Sequence, residues 1–152
     1  MTIVSAFLLP GSPLPEVQRE NPPWAKLADA MDIVGGKLAQ SNPDTIAIYS
    51  TQWIAVLDQL WQTRAHVKGL HVDENWHEFG ELTFDMRTDV QLTEAIIEAT
   101  TADGIRSKGV DYDAFPVDTG PIIASNFLNP HGDYPTVVTS NNVYHDWGMT
   151  ES

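Results

Sequence analysis

Apolar residues run without interruption from Ile3 to Leu9 and are stopped by Pro10-Gly11-Ser12-Pro13. A run this short, bounded by turn formers, predicts a strand buried on both faces rather than a helix. From Pro22 to Gln40 the pattern changes, with Trp24, Leu27, Met31, Val34 and Leu38 recurring at spacings of three and four. That periodicity predicts an amphipathic helix lying on a sheet, and Pro22-Pro23 suits its first turn. Gly35-Gly36 inside the stripe costs about 1 kcal/mol per glycine relative to alanine, which implies close backbone packing or an early helix end. After Ser41-Asn42-Pro43, the β-branched stretch Asp44 to Ser50 predicts a buried parallel strand. Thr88 with Gln91 three residues on forms a capping-box pattern. The helix it opens carries the stripe Leu92, Ile96 and Ala99 and is ended by Asp103-Gly104. Ile105 to Val110 and Thr136 to Thr139 are further strand candidates. Strands alternating with helices predict an α/β fold of three-layer type, a mostly parallel or mixed sheet with helices packed on its faces.

Between these elements, Trp53 to Phe84 holds Trp53, Trp61, Trp76, Phe79 and Phe84 together with His66, His71 and His77. This is too aromatic for a plain connection and forms either a second core layer or a binding wall. Aromatics in a long excursion most often pack it down onto the domain.

Length and composition narrow the picture. At 152 residues, with 42% hydrophobic and 19% charged, residues 1–152 are expected to form a single domain. There is no cysteine, so disulfides, zinc ribbons, iron–sulfur clusters and thiol nucleophiles are excluded, and any metal must use histidine and carboxylate. Eight Lys and Arg against 21 Asp and Glu give a net charge of −13, which argues against nucleic acid or an anionic membrane surface as partner. The apolar run near the start has no basic flank or small-residue cleavage site and is too short to span a bilayer, so a cytoplasmic location is expected.

Candidate chemistry is sparse. His71, Asp73, Glu74, His77 and Glu78 lie close together in sequence and contain the residue types of a two-histidine, one-carboxylate iron site. Their spacing opposes that reading: if residues 69–73 are extended, His71 and Asp73 share a face, but His77 lies beyond Trp76 with no regular element to return it. The cluster therefore reads as a solvated acidic loop. His131 and His145 can approach one another only through tertiary structure. No Gly-x-Ser-x-Gly elbow occurs, and Ser50, Ser125 and Ser140 have no base nearby in sequence. Gly35-Gly36 sits inside a helix pattern and makes no phosphate loop.

Four phrases taken together resemble one family: the residues from Ser5 to Pro13, from Pro43 to Trp53, from Phe115 to Gly120 and from Thr136 to Tyr144. In order and spacing they are similar to the N-terminal half of the class III extradiol ring-cleavage dioxygenases, the superfamily of the protocatechuate 4,5-dioxygenase β-subunit. The stretch from Tyr49 to Trp61 and the phrase His71-Val72-Asp73-Glu74-Asn75-Trp76 most resemble the α-type subunits of its aminophenol-cleaving branch. The resemblance implies Fe(II) held in active members by a histidine near the start, a second after the next strand and a late glutamate, with further histidines assisting. At the corresponding positions this chain has Leu8, which offers no donor, and Gln52, a weak neutral ligand. Thr119 stands between Asp118 and Gly120 where active members carry a catalytic histidine. The late glutamate would fall beyond Ser152.

The resemblance thus implies a chain that binds no cofactor itself and acts as a non-catalytic subunit for a catechol or 2-aminophenol-type ring. Fe(II) would then sit in a catalytic partner subunit, and self-association is the other partner expected. A chain ending soon after one predicted strand and Tyr144-His145-Asp146-Trp147 is expected to leave a sheet edge and apolar face that a partner covers, or to be a truncated copy. Two other functions stay open. An emptied pocket lined by Pro10, Gln52, Trp53, Asp118 and Thr119 could hold an aromatic acid without turning it over, or a rebuilt active site could use His71, His77, His131 or His145 with nearby carboxylates.

Overall fold

A computed structural model describes residues 2–112 and 117–143. After a short helix α1 (Leu14–Val17), the periodic stripe forms α2 (Pro22–Gln40) with the predicted bounds, its two prolines in the first turn. Ala28, Met31, Gly35 and Leu38 form its buried line. β1 (Ile46–Ala55) begins inside the predicted strand and runs five residues past it. The aromatic stretch then supplies β2 (Gln59–Gln62), β3 (His66–His71), a 3-10 turn at His77–Phe79 and β4 (Leu82–Arg87). α3 (Val90–Ala102), β5 (Ser107–Val110), α4 (Thr119–Leu128) and β6 (Thr136–Asn142) complete the described residues.

The main sheet has the order β1-β6-β2-β5 and is mixed: β1 pairs with β6 and β2 with β5 in parallel, while β2 meets β6 antiparallel. β3 and β4 form a separate antiparallel hairpin. α4 packs between α2 and the strands, and Ala28 and Met31 of α2, Ile122, Ile123 and Phe127 of α4, and Leu82 of β4 make one core cluster. Trp53, Val67, Met86, Val110 and Val138 make a second. The aromatic stretch therefore supplies strands and core. The α/β class with helices on a mixed sheet is what the sequence predicts.

Three local expectations are corrected. Residues 3–9 form no strand. Ile3, Val4 and Leu8 are exposed, Leu8 completely at 101%, and only Leu9 packs against the core clusters. A strand exists only by pairing, and this segment is fastened to its surroundings through side chains instead of a ladder. Ser5 Oγ lies 3.2 Å from Ser41 Oγ, and the Gly11 carbonyl accepts from Gln52 Nε2 at 3.2 Å. The cap of α3 is Asp89 rather than Thr88: its carboxylate accepts from the Leu92 amide at 3.0 Å and from Thr45 Oγ1 at 2.8 Å. A single carboxylate thus caps the helix and ties it to the start of β1, which a threonine one residue earlier could not do. In the same helix Thr93 is fully buried and Ala99 exposed, so the buried line is rotated from the predicted stripe.

The glycine pair in α2 separates into two roles. A Cβ on Gly35 would lie 2.3 Å from the Phe127 carbonyl oxygen, whereas one on Gly36 would meet nothing within 4 Å. Close helix packing, rather than an early end, explains the first glycine. Replacing Gly35 by Ala should destabilise the fold by about 1–3 kcal/mol through overpacking, while Gly36→Ala should stabilise it by about 0.5–1 kcal/mol through helix propensity. Urea denaturation midpoints moving in opposite directions would check the pair.

Candidate functional site

The β1–β6 ladder is regular from Ile46↔Thr136 to Tyr49↔Thr139 and resumes at Ile54↔Asn141. Four residues on β1, Ser50, Thr51, Gln52 and Trp53, are therefore matched by one on β6, Ser140, and leave the ladder in a bulge. Amides that leave a ladder need other acceptors. Ser50 Oγ supplies one, accepting from the Gln52 amide at 3.3 Å and the Trp53 amide at 3.1 Å. Its own proton points to Asp118, 3.3 Å from each carboxylate oxygen. A serine without a base nearby in sequence is thus brought to a carboxylate 68 positions away.

The bulge divides two neighbouring candidates. Trp53 turns into the second core cluster at 4% exposure, while Gln52 turns outward, its side chain lying between Gly11 and Gly120. A Cβ on Gly11 would approach the Gln52 side chain to 3.1 Å and one on Gly120 to 2.9 Å, so both glycines make room for it. Pro10 is half-buried beside them.

Asp118 and Thr119 open α4, and the hairpin reaches them from the other side. Thr119 is buried; its hydroxyl donates to Asp73 Oδ2 and lies 2.9 Å from His71 Nε2. The extended backbone after β3 places His71 and Asp73 on one face, as their spacing suggests, but Asp73 is not a solvated loop carboxylate. It is buried and also accepts from the amides of Asn75 at 2.8 Å and Trp76 at 3.2 Å. His77 and Glu78 stay exposed in the 3-10 turn, with His77 Nδ1 3.4 Å from the Glu74 carbonyl. His131 is exposed on the turn before β6, and His145 lies outside the described residues.

The two carboxylates of this cluster are driven apart. For Asp73, burial raises the pKa, but the Thr119 hydroxyl, the two amides and nearby His71 outweigh it and hold the group below its ordinary range. For Asp118, burial dominates; Ser50 and the Gly120 amide counter it only in part, Asp73 adds repulsion, and the carboxyl is pushed up to about 6.

The residues at the expected iron positions do not fit a ferrous ion. Leu8 has no donor and faces solvent, and the Gln52 amide nitrogen is engaged with Gly11. Among the described residues, no three His, Asp or Glu side chains are grouped so as to hold a metal ion.

Residues 6–146 match the family model described as the catalytic LigB subunit of aromatic ring-opening dioxygenase. The chain belongs to this family. It is 53% identical over 152 residues to the 2-aminophenol 1,6-dioxygenase alpha subunit of Pseudomonas sp, an alignment covering 99% of the chain and 56% of that relative. It is 26% identical to the 2-aminophenol 1,6-dioxygenase beta subunit of Pseudomonas sp over 159 residues, covering 98% of the chain and 52% of the relative. The chain spans about half the length of both. No helix among the described residues is long and apolar enough to cross a membrane.

Within this ring-opening dioxygenase fold, Asp118 gives a pH signature whose sign follows from its raised pKa. The native state favours the protonated carboxyl, so its burial costs nothing below the ordinary value of 3.8 and costs most above about 6. Asp118→Asn should therefore be more stable than wild type by roughly 1–2 kcal/mol at pH 7, after allowing for solvent screening. The gap should close as pH falls toward 4. Thermal melts of both proteins across that range measure it.

Proposed function

We propose that the chain forms part of an iron-free, non-catalytic, cytoplasmic subunit of an extradiol dioxygenase acting on a catechol or 2-aminophenol-type ring. Its role is to assemble with a catalytic partner subunit that holds Fe(II). The observation that carries the proposal is the state of Gln52: where an imidazole donor is required, a neutral amide braces the Gly11 segment against the start of α4. Leu8 supports the same reading, since a ferrous site cannot be built on a hydrocarbon side chain facing water. The higher identity to the alpha subunit than to the beta subunit of the aminophenol enzyme supports an alpha-like role beside a beta-like partner.

Such a subunit contributes by mass action, because any surface buried only in the complex stabilises the folded, assembled partner. The ring substrate belongs to the complex on this reading, and the family scaffold without iron donors serves as an assembly surface.

Anaerobic loading of the purified chain with ferrous iron, followed by gel filtration and metal analysis, should leave far less than one iron per chain. A stoichiometric, tightly held ferrous ion would overturn the proposal. Tagged chain recovered from its source cells should bring with it an iron-containing homologue of the same family; recovery of the chain alone, at concentrations where it is folded, would count against an assembly role.

A further inference from the structure

At the end of α4 away from Asp118 and Thr119, an open cleft of about 470 Å³ lies between the helix and the hairpin. That volume is in the range that holds a small ligand or a short stretch of chain. Ser125 and the capping residue Asn129 line it from the helix and Thr83 and Asp85 from β4, while Leu70 and Pro130 give it exposed apolar rims.

The outer edge of β4 faces this cleft. In an antiparallel pair, residues that exchange hydrogen bonds with the neighbouring strand alternate with residues whose N–H and C=O point away from it. The Thr88 amide donates to the Ala65 carbonyl, so that pair is bonded and, counting along the register, Arg87, Asp85 and Thr83 face away from β3. Two of their carbonyls are taken: that of Thr83 accepts from Asn126 Nδ2 at 3.2 Å and that of Arg87 from Thr136 Oγ1 at 3.1 Å. Between them, the N–H and C=O of Asp85 have no hydrogen-bond partner among the described residues. β6 comes alongside only at the Thr88↔Thr136 bridge. Tyr134, just before it, is held by the Asn129 side chain through both its N–H and its C=O.

Ser125 is the second observation. It is 5% exposed and lines the cleft, yet its hydroxyl has no hydrogen-bond partner among the described residues. Its neighbours are engaged: Asn126 Nδ2 serves Glu16 and the Thr83 carbonyl, and Asn129 serves Tyr134. A buried hydroxyl left unpaired is unfavourable, and a hydrogen-bonding group entering the cleft would relieve it.

Charge restricts what enters. Lys68 Nζ and His66 Nε2 each lie 2.7 Å from an Asp85 carboxylate oxygen, so the ammonium and carboxylate at the rim are already paired. The chain as a whole carries −13, which opposes an anion. What the edge still offers is one backbone donor and one backbone acceptor on the same residue. An extended peptide matches both at once, accepting from the Asp85 N–H and donating to its C=O as an added strand does.

We propose that the cleft between β4 and α4 binds a neutral, extended peptide segment of another chain, paired through its backbone to Asp85 and through a hydrogen-bonding side chain to the Ser125 hydroxyl. The site uses neither the carboxylate cluster nor any metal ion.

Amide hydrogen exchange on the full chain should show the hairpin amides of Phe84 and Met86 protected and that of Asp85 open. The probe is a pentapeptide of alternating valine and threonine, acetylated and amidated at its ends. It should slow Asp85 exchange at least about tenfold at saturation and shift the Asp85 and Ser125 resonances. Its fully N-methylated form, which lacks the donors, should bind at least about tenfold more weakly. Versions with glutamate or lysine in place of threonine should also bind more weakly at about 0.15 M salt. Ser125→Ala should leave the urea midpoint of the free chain unchanged or raised, because the hydroxyl it removes has no partner, and should weaken binding of the peptide about fivefold or more. An Asp85 amide protected in the free chain, a peptide that leaves Asp85 unmoved, equal binding of the N-methylated form, a charged version that binds more tightly, or a Ser125→Ala chain that binds as wild type would each overturn the proposal. Iron content decides the non-catalytic reading separately, and neither result predicts the other.

Discussion

The arrangement of the site depends on one interruption in the sheet. Where β1 leaves its ladder with β6 between Tyr49 and Ile54, backbone amides lose their strand partners, and the Ser50 hydroxyl replaces part of that ladder by accepting from the Gln52 and Trp53 amides. Buried N–H groups without acceptors are expensive, so a bulge of this size persists only where a side chain can close it. Once closed, it has two consequences. Trp53 is committed to the core and Gln52 to the side facing Gly11 and Gly120, and the remaining Ser50 proton is directed at Asp118 at the start of α4. Strand end, helix start and N-terminal segment are thereby held at one place, the carboxyl end of a parallel strand, where α/β sheets place their binding crevices.

Burial and hydrogen-bond supply together decide how the two carboxylates behave there. Asp73 collects a hydroxyl and two amides and stays ionised. Asp118 shares a single hydroxyl between its two oxygens at 3.3 Å, with a further contribution from the Gly120 amide, and its burial wins. Asp118 carries the larger desolvation with fewer donors, and that combination separates the two. The same hydroxyl links His71 through Thr119 to Asp73, so the hydrogen bond of the imidazole depends on the hairpin being docked against α4.

Family membership and site chemistry carry different weight. The match over residues 6–146 accounts for the mixed sheet and its helices, and the aminophenol relatives account for the long shared phrases. Neither determines what the polar cluster does, because function lives in the side chains placed on a scaffold. Here the scaffold carries leucine, glutamine and threonine at positions where the resemblance implies imidazoles, and the glutamine has acquired a bracing contact of its own.

Periodicity and composition were enough to determine α2, the parallel β1, the end of α3 and the α/β class, because each rests on a local pattern of apolar positions or turn formers. Sequence spacing also put His71 and Asp73 on one face. Tertiary structure decided the rest. The apolar segment 3–9 lacked a ladder partner, which no local pattern reveals. α4 carries apolar residues on nearly every face and no helical stripe, although Asp118, Thr119 and Pro121 are residues suited to a helix start. The union of Ser50 with Asp118, 68 positions apart, and of His71 with Thr119, 48 apart, exists only because the bulge in β1, the start of α4 and the hairpin meet. Local pattern therefore determined which segments are regular. The site was settled by long-range hydrogen bonds, because a donor has no meaning until its acceptor has been folded into reach.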